Sequence, residues 1–119
     1  MAMILIAEDE PTLADMLGQF LKNKGHLVTI AEDGAQMIVK AKEIKPDAIV
    51  ADVMMPGTYG TSAYKTLQED SSTKGIPVLF LTAITPEQAT ALIPEAPGVK
   101  VMHKPAEPAE FVAAVESLL

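Results

Sequence analysis

Residues 48–57 read AIVADVMMPG: the apolar run Ala48-Ile49-Val50-Ala51 leads straight into Asp52, and Pro56-Gly57 closes the stretch. An unbroken apolar run of this length suits a strand covered on both faces, because a strand with one wet face alternates. Similar runs flank it at Met3 to Ala7, Leu27 to Ile30, Val78 to Leu81 and Val99 to Met102. Helical spacing fills the gaps. Pro11 opens a helix whose Leu13, Met16, Leu17, Phe20 and Leu21 share one face, and Gly25 stops it. Asp33-Gly34 precede a second apolar face of Ala35, Ile38, Val39 and Ala41, ended by Lys45-Pro46-Asp47. Ala63, Tyr64 and Leu67 support a third helix. Thr85-Pro86-Glu87 read as the cap and first turn of a fourth, which Pro94 cuts short. Pro108 opens a fifth, with Phe111, Val112, Val115, Leu118 and Leu119 in one stripe.

Five strands alternating with five helices predict a parallel sheet with helices on both faces, since parallel strands need crossover connections. Right-handed crossovers favour a doubly wound α/β sheet of order 2-1-3-4-5. A closed eight-fold barrel needs about twice the residues. The 119 residues therefore form one expected domain, 1–119.

Composition narrows the function. Nine Lys, no Arg and 16 acidic residues give a net charge of −7, so phosphate counterion release cannot drive binding of this segment to nucleic acid. No apolar stretch reaches the length of a membrane span and no basic region precedes a signal core, which predicts a cytoplasmic chain without membrane contact. The absence of Cys excludes disulfides, thiolate metal sites and cysteine nucleophiles. The seven Met read as core filler, His103 as a surface residue, and His26 as a turn residue without a partner.

In an open parallel sheet the functional crevice lies beyond the carboxyl ends of the strands. There the first run meets Glu8, Asp9 and Glu10, the third Asp52, the fourth Thr82, and the fifth His103, Lys104 and Pro105. Converging carboxylates repel unless a proton or a cation intervenes. Oxygen ligands with room for water suit Mg²⁺. A carboxylate can attack phosphorus to give an acyl phosphate once the incoming charge is neutralised, and Lys104, Thr82 and a metal would do that. Asp52, at the end of the central strand, is the best nucleophile.

Glu8-Asp9-Glu10, the run Asp52 to Gly57, Leu81-Thr82-Ala83 and Lys104-Pro105 together resemble the signatures of the receiver domain of two-component response regulators, which has the flavodoxin-like order. Asp33-Gly34 and Pro46-Asp47 are further family-like positions. The resemblance implies that Asp52 accepts a phosphoryl group from a phosphohistidine on a sensor histidine kinase or histidine phosphotransfer protein. It implies Mg²⁺ (or Mn²⁺) held by Asp9, Asp52, the backbone carbonyl of Met54 and, through water, Glu8. Lys104 would contact the phosphoryl oxygens and Thr82 would swing toward them. The switched surface would comprise the predicted fourth helix, fifth strand and fifth helix. Such a chain is a phosphoacceptor signalling module and not a turnover enzyme. The lack of Arg for inter-subunit ion pairs favours a monomer. A stand-alone receiver and a domain of a longer regulator both fit the sequence.

Two departures stand out. Three positions before the lysine, where the family usually has an aromatic ring, is Val101. A small branched side chain cannot make the same rotation. Met54 and Ile84, two residues beyond Asp52 and Thr82, are bulky at positions that in the family tune water access, which predicts slow self-dephosphorylation. Other classes fit less well. A phosphorylation-independent docking module has no need of intact Asp52, Thr82 and Lys104. A haloacid-dehalogenase-type hydrolase wants an acid where Met54 stands, and a flavin site wants a phosphate cradle where the acids after the first strand stand.

Overall fold

A computed structural model describes residues 2–53, 60–83, 93, 96–104 and 107–119. The strands are β1 (Met3–Ala7), β2 (Leu27–Ala31), β3 (Ala48–Asp52), β4 (Val78–Thr82) and β5 (Val99–His103). They form one all-parallel sheet of order β2-β1-β3-β4-β5. The described helices are α1 (Pro11–Lys22), α2 (Gly34–Ile44), α3 (Gly60–Gln68) and α4 (Pro108–Glu116). The helix expected after Thr85, with Pro94, lies outside the described residues, as do Met54, Ile84 and Pro105.

Burial follows from strand position. Every residue of β3 and β4 is buried, while the edge strands β2 and β5 are partly exposed. Alternate residues of the central strands feed two cores. On one side Leu5, Ile49, Ala51 and Phe80 pack with Met37 and Ala41 of α2 and Ala63, Tyr64 and Leu67 of α3. On the other, Ile4, Ile6, Val50, Leu79 and Leu81 pack with Leu17 and Leu21 of α1 and Phe111, Val112 and Val115 of α4. Edge-to-face ring pairs join elements on each side: Tyr64 with Phe80 at 5.6 Å and Phe20 with Phe111 at 6.4 Å. Truncating a ring as enclosed as Phe80 costs about 3–5 kcal/mol.

The helix boundaries have local causes. Pro11 stands in the first turn of α1, and Gly25 takes φ 88° in the turn to β2, a conformation that costs a glycine little. Asp33 caps α2 by accepting the Gln36 amide at 2.8 Å. Lys45 ends α2 in the left-handed region, φ 45°. Several readings of the sequence need correction. Met16 and Val39, placed on the apolar faces of α1 and α2, are exposed, and in α2 Met37 is buried instead. Leu119 lies beyond α4 and is exposed, because the helix ends at Glu116. His26 is buried and has partners: Nδ1 accepts the Ala2 amide at 3.1 Å, and Nε2 lies 2.9 Å from Glu116 Oε2.

Candidate functional site: an acidic crevice at the carboxyl edge

β1 and β3 are neighbours in register, Ala7 opposite Ala51, so the residues that follow them, Glu8-Asp9 and Asp52, reach the same end of the sheet. Carboxylate oxygens of Glu8, Asp9 and Asp52 lie within 4.8 Å of one another. Glu8 and Asp52 are buried and Asp9 is exposed, so the cluster opens to solvent on one side. Lys104, one residue past β5, closes another. Its Nζ donates to Asp52 Oδ2 at 2.8 Å and to Glu8 Oε1 at 3.0 Å. The Lys104 amide donates to the Thr82 carbonyl at 2.8 Å, which ties the lysine's backbone to the end of β4. Thr82 is fully buried there.

Electrostatics follow from this packing. Burial raises the Glu8 carboxyl above its ordinary value, and a hydrogen bond with Asp9 adds to that, against the lowering effect of Lys104. Burial alone would pull the Lys104 ammonium down. Its hydrogen bonds to Asp52 and Glu8 outweigh that and hold it above its ordinary value. The acids are not spent on capping. Glu10, the N-cap of α1, makes no side-chain cap bond, and its amide instead donates to Glu8 Oε2 at 3.2 Å. Oxygen donors from three side chains, one face open to water, fit a hard divalent cation such as Mg²⁺.

The structure thus brings together Glu8, Asp9, Asp52 and Lys104, with Thr82 one strand away. Glu10 and His103 are exposed. Val101, on the edge strand β5, pairs with Phe80 of β4 and is 41% exposed, so it stands on the outer part of the sheet. Sequence reasoning missed Gly60, the first residue of α3, which packs against the Asp52 main chain. Its one signal in the sequence is a glycine where a helix begins.

A doubly wound parallel sheet with clustered carboxylates and a lysine at its carboxyl edge defines an α/β domain with a charged crevice at that edge. The chain belongs to the response regulator receiver domain family, whose profile matches residues 4–116, and is thereby a phosphoacceptor signalling module of two-component systems. It is 34% identical over 116 residues to the DNA-binding response regulator MtrA of Mycolicibacterium smegmatis, covering 98% of this chain and 50% of that protein. The chain thus spans about half the length of this relative. A solved response regulator from Chloroflexus aurantiacus, described as putative, superposes with TM-score 0.90 at 32% identity, over 98% of this chain and 96% of that one. The receiver domain of a sensor histidine kinase from Pseudomonas aeruginosa PAO1 superposes with TM-score 0.90 at 26% identity, over the same shares of the two chains. That structure has a magnesium ion coordinated in its active-site cleft.

Proposed function

We propose that Asp52 is the phosphoacceptor and that the chain takes its phosphoryl group from a phosphohistidine on a sensor histidine kinase or phosphotransfer protein. The observation that carries this reading is the contact of Lys104 Nζ with Asp52 Oδ2 at the mouth of an acidic cluster. An Asp52 carboxylate oxygen attacks phosphorus, the P–N bond breaks, and the leaving imidazole takes up a proton. The product is a mixed anhydride on Asp52. Asp9 and Asp52, with Glu8 through water and the Met54 carbonyl, would hold Mg²⁺ (or Mn²⁺), which supplies charge neutralisation for the phosphoryl oxygens when bound. Lys104 adds a fixed positive charge, and Thr82 offers a hydroxyl donor from the end of β4.

The chain is its own substrate, so the reading is a self-modified switch and not a turnover enzyme. Phosphorylation puts new charge where a carboxylate stood, and movement of Thr82 toward it would alter the surface on the β5 and α4 side. Val101 leaves that movement without a rotating aromatic partner. A monomer in the cytoplasm, with no direct contact of this segment to nucleic acid, is the accompanying proposal. Among the described residues no helix is long and apolar enough to cross a membrane.

Intact mass after incubation with acetyl phosphate tests the reading. One phosphoryl group should be gained with Mg²⁺, none without it, and none by Asp52→Asn. Equal gain by Asp52→Asn would defeat the assignment.

A further inference from the structure

Gly60 begins α3 directly against the backbone of the proposed acceptor. A Cβ placed on Gly60 would overlap the Asp52 carbonyl oxygen and would stand 3.0 Å from the Asp52 carbonyl carbon and 3.4 Å from Val53 Cα. These are main-chain atoms at the end of a fully buried central strand, so no flexible side chain can swing away to make room. The Gly60 amide also donates to the Val53 carbonyl at 2.9 Å, which fixes the approach from the other side. Space alone is enough to demand glycine here. Gly18 and Gly75 lack this constraint. A Cβ at Gly18 would meet only side chains, the nearer at 3.5 Å, and one at Gly75 would meet nothing within 4 Å.

We propose that Gly60 is a positioning residue for Asp52: its missing side chain lets the start of α3 close on the Asp52 carbonyl and so sets where the carboxylate stands relative to Glu8, Asp9 and Lys104. The inference rests on the acceptor reading of Asp52. The carboxylate hangs from the backbone unit that Gly60 abuts, and both the 2.8 Å contact to Lys104 and the carboxylate cluster depend on its place. Catalytic groups held more loosely than about 0.5 Å lose much of their effect.

The test compares wild type, Gly60→Ala, Gly75→Ala and Ala63→Gly at a temperature where circular dichroism shows each fully folded. Ala63→Gly weakens the same helix away from Asp52 and controls for lost stability. Mg²⁺ affinity by calorimetry and the rate of phosphoryl uptake from acetyl phosphate are both read. Gly60→Ala should bind Mg²⁺ and take up phosphoryl groups roughly tenfold less well, with both controls within about twofold of wild type. Gly60→Ala within twofold of wild type, or Ala63→Gly losing as much, would overturn the proposal. Should Gly60→Ala not fold, amide shifts of the wild-type chain decide. On Mg²⁺ titration the Gly60 amide should move with those of Asp52 and Val53 while Gly75 stays still, and an unmoved Gly60 overturns the proposal. A wild type that takes up no phosphoryl group fails the acceptor reading instead, and the Mg²⁺ titration then still judges Gly60.

Discussion

The Lys104 ammonium stands 2.8 Å from Asp52 and 3.0 Å from Glu8, one cation bridging two carboxylates that leave neighbouring strands. Removing it leaves both acids buried and facing each other. Lys104→Met should therefore destabilise the metal-free protein by about 2 kcal/mol, a value reduced because the lysine side chain is 23% exposed. Mg²⁺ should restore much of that loss. Urea denaturation with and without Mg²⁺ checks it, and an equal loss in both conditions would argue against charge as the cause.

Glu8 binds its proton more tightly in the folded chain than in the unfolded one, where its value is near 4.5. The stabilisation this brings is complete below that value and is lost as pH rises through the higher folded value. Without Mg²⁺, wild type should therefore lose stability relative to Glu8→Gln as pH rises from acid toward neutrality. Mg²⁺, which binds the ionised carboxylate, should flatten the difference. Lys104 adds nothing to this slope, because its raised value means its contribution fades only above its ordinary 10.5. Thermal melts of both proteins across pH read the difference directly.

His26 Nδ1 accepts the Ala2 amide hydrogen, so Nε2 carries the ring proton and donates to Glu116. The interaction is then a hydrogen bond that does not need two charges. Glu116→Gln, which keeps an accepting oxygen, should cost less than about 0.5 kcal/mol, whereas His26→Leu should cost about 1–3 kcal/mol by leaving a part-buried amide unpaired. Phosphoryl uptake should be unchanged in both, because the pair lies at the amino end of the sheet. Chemical denaturation and the uptake assay together check this.

Lys45 holds φ 45° immediately before Pro46, a conformation that its Cβ disfavours. Lys45→Gly should raise stability by about 0.5–1 kcal/mol, since the left-handed helix end suits glycine. A loss in the same denaturation experiment would show that the lysine's charge at the helix terminus outweighs the strain.

Local patterning carried most of the architecture. Each apolar run became a strand with at most one residue added at its carboxyl end, as at Ala31, Asp52, Thr82 and His103, and Pro11 and Asp33 marked the starts of α1 and α2. The crevice was legible because its acids and lysine end strands, and strand order alone places strand ends together. What escaped depends on contacts between distant residues. His26 and Glu116 are 90 positions apart, and nothing near either announces the other. The need for glycine at Gly60 arises from a carbonyl eight positions back in sequence, which no local pattern announces. Leu119 fits the helical stripe, yet the helix stops short of it.

The most direct test of the central claim locates the modified atom. Borohydride reduces an acyl phosphate to an alcohol, so peptide mapping after phosphorylation and reduction should find homoserine in place of aspartate at position 52 and nowhere else. Reduction at Asp9 or another acid, or phosphate that survives borohydride as a hydroxyl ester or phosphohistidine, would contradict Asp52 as the acceptor.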